Sequence, residues 1–195
     1  ARGSVDSSPT APCDPTAQTG EVVWHELNNN FGVTQFYYGI LYPNGTAYFG
    51  GTQDVGTVWG ADAYGSEHWV EILGGDGGAA AVDRDNTNIL FAENTGLSIQ
   101  KSTDGGASFA PATNGITEDP SNFLFIAPFS MDPTNSNRLW TGGYYLWRTM
   151  DSAANWVRAS AVTTGSGKVF LYDHWGSQES DKILSKLRFL IRGKR

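Results

Sequence analysis

From Glu21 to about Val162, short apolar and aromatic runs alternate with turns built from Gly, Asn and Asp. The runs include VVWHEL, TQFYYGIL, TAYFGG, HWVEIL, NILFA, LSIQKS, NFLFIAPFSM, RLWTGG and YYLWRT. Each has the length of a strand, and no 3.6-residue period is sustained across them. The pattern predicts antiparallel strands with little helix before residue 163. The two ends depart from it. Residues 1–20 are small, polar and Pro-containing, which predicts a linker or disordered terminus. Residues 163–195 form a basic tail in which Ile183, Leu184, Leu187, Leu190 and Ile191 recur at helical spacing, with Ser180 placed to cap a helix starting at Asp181. A basic amphipathic helix can bind an anionic membrane; packing on the domain, or an altered reading frame, is the favoured reading of the tail.

The strand runs repeat. Val82-Asp83-Arg84-Asp85-Asn86-Thr87-Asn88-Ile89-Leu90-Phe91 aligns with Met131-Asp132-Pro133-Thr134-Asn135-Ser136-Asn137-Arg138-Leu139-Trp140. Ser102-Thr103-Asp104-Gly105-Gly106-Ala107-Ser108-Phe109 aligns with Thr149-Met150-Asp151-Ser152-Ala153-Ala154-Asn155-Trp156. An earlier, weaker copy sets Ala47-Tyr48-Phe49 against Ile89-Leu90-Phe91, and Trp69 against Phe109. A repeat of roughly 40–50 residues holding four short strands is the size of one propeller blade. Three copies are expected, at about 34–73, 78–113 and 122–160, within a segment spanning 21–162; Trp24 is expected to close a preceding one.

Composition narrows the function classes. The chain has 195 residues, 24 of them Gly, with 13% aromatic and 17% charged residues and a net charge of −7. Residues 164–195 carry seven Lys/Arg against three Asp/Glu, so the rest is more acidic than the total. An acidic body disfavours nucleic acid, which needs a basic face. No run of 18 apolar residues suggests a transmembrane helix. The first residue is Ala, which suggests a processed or truncated start. Cys13 is the single cysteine and can form no internal disulfide. His25, His68 and His174 lack zinc spacing. Asn44-Gly45-Thr46 fits a glycosylation sequon but reads better as a hairpin turn.

The block Ser102-x-Asp104-x-Gly106-x-Ser108-Phe109 resembles the Asp-box of BNR-repeat β-propellers, S/T-x-D-x-G-x-T/S-W/F. Thr149-x-Asp151 to Trp156 is a degraded copy with Ala153 in place of the glycine. Together with the phrases Gly50-Gly51-Thr52-Gln53-Asp54-Val55-Gly56 and Gly74-Gly75-Asp76-Gly77-Gly78, the chain resembles bacterial sortilin-like and xyloglucan-active-glycosidase-like repeat proteins. The resemblance implies an all-β fold, a partial propeller of about three four-stranded antiparallel blades, and a secreted or cell-envelope location. A propeller ring usually needs roughly four to eight blades, so the chain is expected to be part of a longer parent carrying the remaining blades, or an open arc with exposed edges. In such a box the Asp holds a hairpin turn, the glycine supplies unusual backbone angles and the aromatic plugs the sheet interface. Ser102, Asp104, Gly106, Phe109, Thr149, Asp151 and Trp156 are therefore expected to be structural.

Strand alternation offers a better place for chemistry. In a four-stranded meander the connections after strands two and four share one face, opposite the boxes. That face is expected to carry Gln53, Asp54, Asp76, Glu93, Glu118, Asp119 and Tyr144. Turn support is the favoured reading of these residues. The functional reading is a site for a glycan or protein partner, with Asp54 and Asp76 as the catalytic candidates should the parent be a glycosidase, since paired carboxylates can act as acid and base or nucleophile. No cofactor is expected; oxygen ligands of this kind can also take Ca²⁺. A sialidase is disfavoured, because Arg84, Arg138, Arg148 and Arg158 do not form a carboxylate clamp. The leading reading is a repeat scaffold that binds a glycan or protein, and the alternative is a xyloglucanase-like glycoside hydrolase fragment.

Overall fold

The computed structural model describes residues 3–4, 23–24 and 34–160. The expectations for the remainder of residues 1–33 and for the tail 163–195, with its helix and with Cys13, His25 and His174, lie outside the described residues. The chain divides into two compact units, Ala1–Val33 and Thr34–Arg195. In the first, strands β1 (Gly3–Ser4) and β2 (Val23–Trp24) pair antiparallel.

The second unit holds three four-stranded antiparallel sheets, each built from consecutive strands. The first comprises β3 (Phe36–Leu41), β4 (Ala47–Thr52), β5 (Gly56–Ala61) and β6 (Trp69–Leu73). The second comprises β7 (Ala80–Val82), β8 (Leu90–Glu93), β9 (Ile99–Ser102) and β10 (Ala110–Pro111). The third comprises β11 (Phe129–Asp132), β12 (Asn135–Gly142), β13 (Leu146–Thr149) and β14 (Trp156–Arg158). Among the described residues the helical turns are two short 3-10 segments, Asp62–Tyr64 and Pro120–Asn122.

Turn chemistry explains where the strands reverse. Between β3 and β4 the Gly45 amide donates to the Tyr42 carbonyl at 2.8 Å, and Asn44 Oδ1 accepts from the Thr46 amide at 3.1 Å. The Asn44-Gly45-Thr46 stretch is thus a hairpin turn. Between β7 and β8, and again between β11 and β12, an aspartate organises the turn. Asp83 Oδ1 accepts from the amides of Asp85 and Asn86, and Asp132 Oδ1 from the amide of Thr134. Asp132 also pairs with Arg138 at 2.7 Å.

The middle sheet is apolar on both faces because it lies between two others. Successive residues of a strand point to opposite faces. Leu90 and Ala92 of β8, with Ala80 and Val82 of β7, join Phe49 and Ala47 in one core. Phe91 of β8, with Ala79 and Ala81, joins Leu139, Trp147 and Trp156 in the other. All four residues of β8 are buried. Burying side chains the size of Leu90, Phe91 and Leu139 stabilises the fold by roughly 1.5–3 kcal/mol each.

Candidate functional site: the face of the β4–β5 and β6–β7 connections

The residues singled out from the sequence, except Glu93, sit on the connections that strand alternation assigns to one face; Glu93 ends strand β8 and is buried, because its side chain turns into the protein instead of onto that face. The β4–β5 turn carries Gln53 and Asp54, and the β6–β7 connection carries Asp76. The two meet: the Asp54 amide donates to Asp76 Oδ1 at 2.8 Å. Asp54 has a left-handed backbone with φ of 62°, and Gly56 follows with φ of 75°. Gln53 is exposed, and its backbone amide donates to the Gln35 carbonyl at 2.9 Å. The glycines here permit backbone contact. A Cβ on Gly51 would lie 2.2 Å from the Gly78 carbonyl oxygen, so the β6–β7 connection can lie directly against β4. On the other flank, Asn94 Nδ2 donates to the Gly74 carbonyl at 2.9 Å, and the Gly78 amide donates to the Glu93 carbonyl at 2.6 Å. One glycine-rich connection therefore bridges the corresponding turns of two sheets.

Glu93, the last residue of β8, is fully buried. Its Oε2 accepts from the Ala79 amide at 3.3 Å. Burial pushes its carboxyl well above the usual value, partly offset by the amides of Ala79 and Ala127. Only the Ala79 amide is in hydrogen-bonding geometry, and Oε1 lacks a partner among the described residues.

Glu118 and Asp119 lie between β10 and β11. Glu118 accepts from the Tyr144 amide at 2.6 Å, the Tyr145 amide at 3.3 Å and the Trp147 indole at 2.8 Å. It thereby clamps the turn that carries Tyr144. Asp119 caps the short 3-10 segment by accepting from the Ser121 amide at 2.9 Å, a bond that lowers its carboxyl pKa. Asp54 and Asp76 are drawn together, whereas Glu118 gathers with Tyr144 around a separate turn. Among the described residues no three His, Cys, Asp or Glu side chains group so as to hold a metal ion.

The box turns lie at the opposite ends of the strands. Ser102 Oγ donates to Asp104 Oδ1 at 2.7 Å and accepts from the Gly106 amide at 2.9 Å. Asp104 also accepts from the Ser108 amide at 2.9 Å and the Ser108 hydroxyl at 2.6 Å. These donors, the Ser108 hydroxyl foremost, hold the Asp104 carboxyl down to about 2. Thr149 and Asp151 repeat the pattern: Thr149 Oγ1 donates to Asp151 at 2.6 Å, and the Asn155 amide does so at 3.0 Å. Ala153 replaces the glycine yet keeps a left-handed φ of 61°. Phe109 packs against the core between the first two sheets, and the buried Trp156 donates its indole N–H to the Ala112 carbonyl at 2.7 Å.

One feature escaped the sequence reading. Lys101 donates from Nζ to the carbonyl (2.8 Å) and hydroxyl (2.9 Å) of Ser152, joining the second sheet to the box turn of the third. Its signal was only a lysine inside a strand. A third box-like turn spans Gly60 to Trp69, where the repeat sets Trp69 against Phe109. Gly60 pairs with Trp69 across β5 and β6 as Thr149 pairs with Trp156, and Asp62 accepts from the Tyr48 hydroxyl at 2.5 Å.

The stacked sheets make the described part an all-β, partial β-propeller of three blades. No family model matches the sequence, and no curated protein matches it. Solved structures do. A GH74 enzyme from Niastella koreensis is similar, with TM-score 0.50 and 24% identity over 68% of this chain and 22% of that one. A GH74 xyloglucanase from Xanthomonas campestris has TM-score 0.48 and 19% identity over 65% of this chain and 21% of that one. An ancestral GH74 enzyme has TM-score 0.48 and 16% identity over 66% of this chain and 18% of that one. This chain thus spans less than a quarter of the length of each.

Proposed function

We propose that the chain is a glycoside hydrolase-like fragment, a three-blade part of a glycan-acting propeller of secreted or cell-envelope type. In this reading the corner formed by Gln53, Asp54 and Asp76 is one wall of the glycan site. The observation that carries it is the 2.8 Å contact between the Asp54 amide and the Asp76 carboxylate, which brings two carboxylate residues from separate connections to one corner. Carboxylate residues gathered at one corner suit sugar chemistry in two ways. They accept hydrogen bonds from sugar hydroxyls, and in a complete site a pair separated by about 5–10 Å can divide acid and base roles. The adjoining glycines let a polymer approach the backbone, and the Gln53 amide can both donate to and accept from it. The GH74 enzymes that share the fold supply the substrate class for the test, xyloglucan and related β-glucans.

The test is affinity electrophoresis of the 195-residue chain in gels containing xyloglucan or other soluble β-glucans, with a reducing-end assay alongside. Retardation by a glycan that is weakened in Asp54→Asn and Asp76→Asn, with melting temperatures unchanged, supports the reading. Equal retardation of all three proteins, or none in any glycan, overturns it. A second reading, a scaffold for a protein partner, draws support from Glu118, whose two oxygens are both taken up in holding a turn.

A further inference from the structure

Glu93 stands at a position that glycine fills in the other two sheets. The alignment that sets Phe49 and Trp140 against Phe91 puts Gly51 and Gly142 against Glu93. In the first sheet the glycine lets the following connection lie on the strand, since a Cβ on Gly51 would meet the Gly78 carbonyl oxygen at 2.2 Å. In the second sheet a carboxyl group stands there instead, with no exposed surface. One bond holds it, from the Ala79 amide to Oε2 at 3.3 Å, and Oε1 has no partner among the described residues. Gly78 makes the room, because a Cβ there would lie 2.8 Å from Oε2.

No charge balances this group. The elements around it carry Asp76 on the β6–β7 connection, Lys101 on β9, Glu118 and Asp119 between β10 and β11, and Asp132 on β11. Each is engaged elsewhere. Asp76 accepts from the Asp54 amide, Lys101 donates to Ser152, and Glu118 holds the Tyr144 turn. Asp119 accepts from the Ser121 amide, and Asp132 pairs with Arg138. An ionised carboxylate buried without a cation is strongly unfavourable, so the group keeps its proton in place or leaves the interior to lose it. Burial accordingly pushes its carboxyl well above the usual range.

What Glu93 touches is the connection that carries Asp76. Four of the five residues from Gly74 to Gly78 are glycine, so this segment has little side-chain packing of its own and depends on its bonds. Strand β8 and the residue after it supply most of them. The Gly78 amide donates to the Glu93 carbonyl at 2.6 Å, the Glu93 amide to the Ala79 carbonyl at 3.0 Å, and Asn94 Nδ2 to the Gly74 carbonyl at 2.9 Å. The first sheet adds the Gly77 amide on the Thr52 carbonyl at 3.0 Å and the Asp54 amide on Asp76.

We propose that Glu93 is a proton-operated latch on this connection. With its proton on, it holds the Gly74–Ala79 segment against β8 and sets Asp76 against Asp54. When the proton passes to water, the carboxylate leaves the interior and the segment is freed. The latch does not depend on what the Asp54–Asp76 corner binds, and its test uses no glycan.

Amide hydrogen exchange of the 195-residue chain, followed by NMR from about pH 5 to pH 9 to span the raised values of buried glutamates, tests this. The Gly77, Gly78 and Asp54 amides should be less protected than a central strand amide such as that of Phe91, which marks an opening smaller than global unfolding. Their protection factors should nonetheless fall by up to about tenfold per pH unit, the slope of one proton released on opening, and level off once Glu93 has ionised. Glu93→Gln should abolish the slope in the same amides. If that variant does not fold, the natural chain decides: the pH of levelling off should match the midpoint of the Glu93 carboxyl carbon shift. A mismatch there overturns the proposal. So does protection below that of Phe91 but independent of pH, equal protection of Gly78 and Phe91 at every pH, or a slope that survives in Glu93→Gln.

Discussion

The Asp54 amide and the Asp76 carboxylate join a hairpin turn of the first sheet to the connection that leaves it. Asp54 itself sits in the left-handed region, at φ 62°. Such a backbone costs a β-branched residue about 1–2 kcal/mol and a glycine almost nothing. Asp54→Gly should therefore leave the urea midpoint nearly unchanged, and Asp54→Val should lower stability by about that amount. Equal midpoints for the two would show that the turn relaxes.

Asp104 gives the fold an acid-side dependence. Its carboxyl is held to about 2, below the value in an unfolded chain. A depressed carboxyl contributes stability that is present above the unfolded pKa and is lost as pH falls through the folded one. The loss should appear between about pH 4 and pH 2. Urea midpoints across that window should fall for the natural chain and fall less steeply for Asp104→Ala, which starts lower. Parallel slopes would assign the acid sensitivity elsewhere.

Glu93 acts with the opposite sign. Its folded pKa is raised, so the fold favours the protonated form, and this contribution is lost as pH rises from the ordinary carboxylate range through the folded value. The melting temperature of the natural chain should decline over that rise. Glu93→Gln keeps the shape without the charge and should flatten the decline, matching or exceeding the natural chain at neutral pH. A variant that keeps the full slope would exclude Glu93 as its source.

Trp156 carries two kinds of contact at once. Its ring fills the core between the last two sheets, and its indole N–H satisfies the Ala112 carbonyl. Trp156→Ala should cost about 3–5 kcal/mol, as for large aromatic deletions in cores. Trp156→Phe should cost less, about 1–3 kcal/mol, much of it from the carbonyl left unpaired. Guanidinium unfolding of the three proteins gives the ordering.

The repeat made the sheets legible, because each copy has to bury the same alternating positions against its neighbours. The boxes at Ser102 and Thr149 were legible for a local reason: a hydroxyl, a carboxylate and an aromatic at fixed offsets describe a closed set of hydrogen bonds. The turn from Gly60 to Trp69 was legible only through the match of Trp69 to Phe109. It has glycine for the hydroxyl residue and is two residues longer than the stretch from Ser102 to Phe109, so its other end is placed by cross-strand register. Strand alternation put Asp54 and Asp76 on one face, but not their contact, which depends on how two sheets approach. Nothing local in the sequence marks Glu93 as buried, since Asn94 and Thr95 follow it as in an ordinary polar turn.

Where β4 meets the β6–β7 connection, at one edge of the side-chain core between the first two sheets, the contact is made of peptide planes. Gly39 has open space where a Cβ would stand, whereas Gly51, in the neighbouring strand, has the Gly77 and Gly78 backbones there. The same residue type thus carries very different mutational tolerance at the two positions. A saturation library should accept most residues at 39 and reject even alanine at 51, tracing the path of that contact through its intolerant glycines.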